Sequence, residues 1–433
     1  MRSIVLPISS LFFAIALLCV GYGLLMSLVG IKLQAFGASS TLIGLVNASF
    51  FLGGVFSLLT AIKIISTVGH IRSFSVFAAL LTFASLGHTL TDSVFIWGFF
   101  RMLSGYSLYS LLLIIESWIN EKTTSTHRSQ VLSIYTVIFY LSISGGQLLL
   151  NIPDHNGSLL FILAAMFVSI SLIPISMTKI SEPKVENVKT MSIPKLYGIA
   201  KLAIVSSFAG GLLVGGFFTM APVYAKAAGF SNEFISIFMS TALFGALIAQ
   251  WPIGWISDRL GRKIAIFAVA IIGAIASMLL WFLGEDIHIL YMSVFILGIS
   301  IFAIYPLSLA RGNDTTDENA NAVEISRALL MTYGIGSFVA PAIIGPFMNL
   351  FGNESIFLFF ACVSLALAIY ALTKDRVPFD ERSVFVSVPT TSSTILAEFD
   401  PRQDEDWVQE KKENINEEEV WLEPASQEEE KTS

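Results

Sequence analysis

Apolar runs of membrane-spanning length, separated by short polar breaks, organise the sequence from its first residues to about position 373. A helix needs about 20 apolar residues to cross the hydrocarbon of a bilayer. Measured with that ruler, the pattern predicts twelve transmembrane helices, over roughly 4–31, 40–65, 72–90, 93–117, 130–151, 157–177, 198–224, 233–256, 264–283, 288–310, 322–350 and 354–373. Proline recurs inside them, at Pro174, Pro306 and Pro341. Membrane helices tolerate it because neighbouring groups re-satisfy the freed backbone. The first run, from Ile4 to about Ile31, is longer than a signal-peptide core and lacks a clear cleavage site, so it reads as a span.

The polar breaks carry the orientation. With the N-terminus in the cytoplasm, 17 Lys and Arg flank the inner ends of the spans, against only Lys32 and Lys226 outside. The positive-inside rule then places both termini in the cytoplasm. The longest internal break divides the spans six and six. The expected organisation is an N-terminal six-helix bundle over 1–178, a cytoplasmic linker over 179–197, a C-terminal six-helix bundle over 198–373 and an acidic tail over 374–433.

A repeat supports two equivalent halves. At an offset of 192 residues, Gly23, Gly37, Gly53 and Gly69 coincide with Gly215, Gly229, Gly245 and Gly261, and Ser39 with Ser231. Glycine recurs where backbones approach closely or the chain turns sharply. Two parallel halves place the substrate path between them, near the bilayer midplane. The fold class is therefore an all-α membrane protein of twelve helices in two pseudo-symmetric bundles.

Composition agrees and removes other classes. Hydrophobic residues make up 55% of the chain and charged residues 13%, about half the charge of a soluble domain. The formal net charge of -7 separates into -10 on Lys374–Ser433 and +3 on the rest. The tail holds too little apolar surface to offset the entropy of ordering and is expected to be disordered. No basic face interleaves with aromatics, so nucleic acid is not an expected partner. Cys19 and Cys362 lie in apolar runs without metal-ligand spacing, which points to packing, and no metal or cofactor is expected. No nucleophile–base set or phosphate loop appears, so an enzyme is not expected. Surrounding lipid and a small-molecule substrate are the expected partners, and a monomer the expected unit.

The sharpest local pattern joins spans eight and nine: Gly254-Trp255-Ile256-Ser257-Asp258-Arg259-Leu260-Gly261-Arg262-Lys263. Gly254 allows close helix packing, and Gly261 a tight turn. Asp258 offers a carboxylate to helix N-termini and guanidinium groups, and the basic pair faces the anionic inner leaflet. This segment resembles the G-x-x-x-D-R-x-G-R-[KR] signature of the major facilitator superfamily. That signature usually stands strongly after span two and weakly after span eight. Here the order is inverted, because Ile62–Ile71 keeps only Gly69 and lacks the aspartate. Arg101-Met102-Leu103-Ser104-Gly105 in span four resembles the superfamily's R-x-x-x-G core, which implies proton coupling. Glu116-Ser117-Trp118-Ile119-Asn120, together with Arg128–Tyr135, Gly146–Leu149 and Glu398–Arg402, resembles a YcaD-like bacterial subgroup of transporter-like proteins. The span-five efflux motif G-x-x-x-G-P-x-x-G-G is absent, so drug–proton antiport has no support.

Arg101 lies about eight residues inside span four, roughly 12 Å deep. A charge there is costly unless it meets a partner or water. No second charge accompanies it in mid-span, which argues against a highly charged substrate. Arg101, Asn47, Tyr106, Tyr109, Gln147 and Tyr305 are the candidates for the substrate cavity. Tyr22, Tyr140, Gln250 and Tyr333 are further polar residues within spans. Glu116 is expected near the cytoplasmic surface, where superfamily analogy pairs it with Arg259 or Arg262 as an inner-gate latch. Glu324 and Arg327 either join that latch or pair locally across i and i+3. The reading is a secondary transporter working by alternating access. The alternative is a non-transporting sensor or receptor on the same scaffold, signalling through the tail, and deleting Arg382–Ser433 separates the two.

Overall fold

The computed structural model describes residues 2–123, 127–154, 156–177, 192–283, 286–315 and 322–378. Twelve of its helical segments are long and apolar enough to cross a membrane. The first half holds α1 (Arg2–Ala35), α2 (Ser40–Val68), α3 (His70–Gly87), α4 (Val94–Lys122), α5 (Arg128–Leu148), α6 (Leu159–Ile170) and α7 (Leu172–Ser176), the last two forming one span broken at Ser171. A short α8 (Ile193–Ile199), with a proline in its first turn, precedes the second half. That half holds α9 (Lys201–Ala227), α10 (Asn232–Leu260), α11 (Arg262–Leu283), α12 (Ile287–Asp314), α13 (Ala322–Phe351) and α14 (Ser355–Leu372). Most of the expected linker, and the tail beyond 378, lie outside the described residues.

The 192-residue repeat is written into the backbone. Gly69 and Gly261 end α2 and α10 with φ of 93° and 92°, a region that only glycine enters freely. Gly37 and Gly229 turn the preceding loops at φ of 76° and 84°. Ser39 and Ser231 then cap the next helices, accepting from the amides of Leu42 and Phe234. Gly53 lies against the Met102 carbonyl of α4, and Gly245 against the Phe295 carbonyl of α12. Each pair brings two helices to backbone contact, the mode by which helices associate without a hydrophobic driving force.

Large apolar side chains cover the outside, including Phe95, Trp251, Phe282 and Leu350. An exposed apolar surface of this extent suits lipid rather than water. One end of the bundle carries Arg72, Lys122, Arg259, Lys263 and Lys374 and is called the basic end below. The opposite, far end carries the α1–α2 and α9–α10 turns. Near the far end, where α1 packs on α9, α2 on α13 and α5 on α10, the two halves meet. Gly44 lies against the Pro341 carbonyl, Gly345 against Ser40, and Gly30 against Val223. Ser236 of α10 donates to Asn151 at 2.8 Å. The far end of the bundle is closed.

Candidate functional site

Arg101 stands seven residues into α4 from the far end, about 10 Å along the helix axis. It is 1% exposed. Its guanidinium donates to the Leu25 carbonyl at 3.4 Å and to Asn47 Oδ1 at 3.2 Å, and approaches Met26 Sδ at 3.7 Å. Its carbon lies 4.7 Å from the centre of the Phe50 ring, a favourable seat for a cation. The Nε donor has no partner. Among the described residues, the ion pairs Lys32–Asp154, Asp258–Arg262 and Arg262–Asp314 do not include it.

Asn47 carries the contact across the molecule. Buried in α2, it accepts from Arg101 with Oδ1 and donates through Nδ2 to the Thr219 carbonyl of α9 at 3.2 Å. A span-four charge thus orients an amide that bridges the two halves. Gln147 is placed differently. It accepts from Ser27 at 2.7 Å and donates to the Gly23 carbonyl at 2.8 Å, fastening α5 to α1 inside the first half.

Beside Arg101 lies a cluster of aromatic rings. Tyr22 stacks on Phe50 at 6.1 Å and 13°, and Tyr109 tilts against Phe50 at 6.2 Å. From the second half, Tyr305 and Tyr333 pack together at 5.0 Å. Tyr22 lies within electrostatic reach of Arg101 and Tyr333, and Tyr109 within reach of Tyr22, Tyr305 and Tyr333. The Tyr22, Phe50 and Tyr109 rings thus join α1, α2 and α4, and the Tyr305–Tyr333 pair of α12 and α13 lies within electrostatic range of them. Tyr106 stays outside it, with its hydroxyl 3.1 Å from Thr60 and its ring edge-on to Phe77 on the α2–α3 side. Tyr22, Phe50 and Tyr333 belong to the cluster and were not among the cavity candidates.

At the basic end, the residues of the α10–α11 motif form a buried ionic knot. Arg262 binds Asp258 at 2.6 Å, Ser257 at 2.7 Å and Asp314 of α12 at 3.2 Å. Gly261 supplies the turn that aims Arg262 back at α12, and Gly254 is buried one turn above Asp258. Arg259 lies over the Trp255 ring at 4.3 Å. In the first half His70 occupies the position of Arg262. It is buried, with Nε2 2.9 Å from Ser117 Oγ of α4 and its ring against Trp118. The same backbone position thus carries an arginine bound to two carboxylates in one half and a histidine meeting a serine hydroxyl in the other.

Glu116 departs from its expected place at the surface. Helix α4 runs on to Lys122, so Glu116 is wholly enclosed and accepts the hydroxyl of Tyr135 from α5. The structure gives Glu116 and Arg262 partners within their own halves. Glu324 opens the first turn of α13, and Arg327 is buried one turn further on. Outside the membrane spans, Asp154 accepts from Lys32 at 2.9 Å and from the Leu159 amide at 3.1 Å. Burial raises its pKa, but the bonds from Lys32 and the Leu159 and Gly157 amides prevail and hold the carboxyl below its ordinary value.

The sequence profile described as Major Facilitator Superfamily matches residues 11–326. The chain belongs to that superfamily. An uncharacterised MFS-type transporter, YE1530, of Yersinia enterocolitica is 28% identical over 388 residues, covering 88% of this chain and 98% of that one. The uncharacterised MFS-type transporter YcaD of Escherichia fergusonii is 26% identical over 377 residues, covering 86% and 96%. Among solved structures, a mutant of the nucleoside transporter NupG superposes with a TM-score of 0.72 at 13% identity, covering 84% of this chain and 98% of that one. The unsubstituted NupG gives 0.67 at 14%. At such identities the likeness establishes the fold alone. The superfamily resemblance and the YcaD-like resemblance read from the sequence are therefore confirmed. The chain is an integral membrane protein of a transporter family, and these relatives lend no support to the sensor reading.

Proposed function

We propose that the chain is a secondary transporter of a small solute that works by alternating access, with both termini in the cytoplasm. The described structure is the state sealed at the far, outer end. The observation that carries this reading is the bond from Asn47 to the Thr219 carbonyl, because it joins the halves and is set by Arg101 beside the aromatic cluster. A solute site at the junction of two pseudo-symmetric halves suits a rocking mechanism around a fixed centre. Asn47 and Arg101 act in this reading as seal and support, Tyr109 and Tyr305 as solute contacts. Gln147 and Tyr106 are structural. Proton coupling stays part of the reading through the span-four motif, although Arg101 is not the carrier, because a guanidinium keeps its proton. The latch from Glu116 to Arg259 or Arg262 belongs to the opposite state, and forming it requires Glu116 to leave Tyr135.

Alternation is tested by distances between spin labels in the full chain with Cys19 and Cys362 replaced by alanine. One pair, Phe36→Cys with Ala228→Cys, reports the far end. The other, Thr67→Cys with Leu260→Cys, reports the basic end. Two populations are expected, short at the far end when long at the basic end, and the reverse. A single population at both ends under every applied proton gradient would refute alternating access.

A further inference from the structure

The aromatic cluster holds donors with nothing to receive them. Tyr22 and Tyr109 are 3% and 6% exposed, and each keeps a buried hydroxyl without a partner. The Nε of Arg101 is likewise unmatched, and the bonds that Arg101 makes to oxygen, at 3.2 and 3.4 Å, are long. Buried donors left unmade are costly, and interiors retain them where a ligand supplies the acceptor. Three such donors belong to one cluster.

Charge selects the ligand further. Arg101 is permanently positive, and among the described residues no ion pair neutralises it. Glu116, an enclosed acid of the same half, accepts the Tyr135 hydroxyl. A buried charge without a counter-charge is stabilised by a ligand that brings one. Rings alone also attract cations, but here the guanidinium already occupies the face of Phe50 and repels a second positive charge. One fixed cation matches one negative charge. The ring faces of Tyr22 and Phe50 lie nearly parallel, and in the other half Tyr305 packs on Tyr333, within electrostatic range of Tyr109. Such walls favour a flat apolar body over a polyhydroxylated one.

We propose that this cluster binds a planar organic monoanion, in class an aromatic carboxylate. Its carboxylate is taken by Arg101 with the Tyr22 and Tyr109 hydroxyls, and its ring lies among the tyrosines of the two halves. The inference rests on the transport reading, since it names the solute of that site. It also links binding to the seal. Arg101 holds Asn47, so a carboxylate that draws on the guanidinium acts on the side chain that reaches Thr219.

The full chain in detergent is titrated with benzoate, nicotinate and indole-3-acetate while its unfolding midpoint is followed, because ligands of the folded state raise it. Benzamide, benzylamine and uridine serve as neutral, cationic and nucleoside counterparts. At least one carboxylate is expected to raise the midpoint at concentrations tenfold below benzamide or uridine, and benzylamine to have no effect. Tyr22→Phe and Tyr109→Phe should each weaken that carboxylate by about tenfold or more, the loss of one hydrogen bond to a charged group, with the ligand-free midpoint equal to or above the parent's because an unmatched buried donor is removed. The proposal is overturned if none of the carboxylates binds, if a counterpart binds as tightly, or if both phenylalanine variants bind the carboxylate as the parent does. Should it fall while the two label populations persist, the transport reading stands and only the solute class is wrong. Carboxylate binding with a single label population would instead remove transport and keep the site.

Discussion

Replacing Asn47 by aspartate separates the seal from the fold. The side chain stays the same size and keeps an oxygen for Arg101, so the contact within the first half becomes an ion pair. That contact is common to both states of a rocking transporter, because Arg101 and Asn47 move together, and it therefore cannot bias them. The bond to Thr219 is different, since it exists only while the far ends touch. Aspartate offers no donor there and turns a charged oxygen toward a carbonyl. The lost neutral hydrogen bond is worth about 1 kcal/mol, and the facing acceptors add a similar penalty, for a total of about 2 kcal/mol against the sealed state. By the usual conversion this moves the ratio of sealed to open molecules about thirtyfold. Spin labels on Phe36→Cys and Ala228→Cys read the ratio directly. The expected result is a large gain in the long-distance population with folded yield equal to or above the parent. An unchanged ratio, or a shift toward the short distance, would refute the assignment of Asn47 as the bridging residue.

Three other outcomes follow from the packing. Gly105→Ala would drive its Cβ into the Phe50 carbonyl and should cost about 3 kcal/mol, whereas Gly145→Ala, with nothing within 4 Å, should leave the unfolding midpoint unchanged. Arg262→Met removes a buried cation from both Asp258 and Asp314 and should lower folded yield, by about 3 kcal/mol in stability; adding Asp314→Leu should recover part of it, as read by size-exclusion profile. The Asp154 carboxyl has a folded pKa below its unfolded value, so its contribution is present above about pH 4, the ordinary carboxylate value, and fades as pH falls through the folded value. Asp154→Ala should therefore lower the unfolding midpoint at pH 7, and the gap to the parent should narrow below pH 4.

How much of this was legible beforehand differs between backbone and site. Twelve spans followed from hydropathy, because lipid demands long apolar helices whatever the tertiary detail. The matched glycines reported the repeat because backbone contact and positive φ leave no substitute at Gly69 or Gly261. Arg101 announced itself by depth. Its neighbours did not, because which face of a helix looks inward depends on partners far away in sequence. Helical phase held part of the answer: Tyr109 lies about 80° round α4 from Arg101, and Tyr106 about 140°, which already separates the central residue from the peripheral one. Tyr22 was missed although it lies nine residues inside the expected end of the first span, because what places its ring in the site is its stacking on Phe50 of α2. Glu116 was misplaced because α4 outlasts its apolar run by more than one turn. Apolar runs locate spans, but capping and packing set where they end.

The seal between the halves is made of glycine packing and neutral hydrogen bonds, Ser236 to Asn151 and the Asn47 amide to a carbonyl, while the guanidinium that orients that amide stays on its own side. Neither part titrates, and neither exchanges counterions with the medium. In the proposed orientation, salt or acid on the outer side therefore finds no ionisable group in these contacts to act on, and their closing strips no water from a charge. On the transport reading proposed above, such a gate keeps the same resting bias through swings in external ionic strength, leaving the solute itself as the agent that tips it.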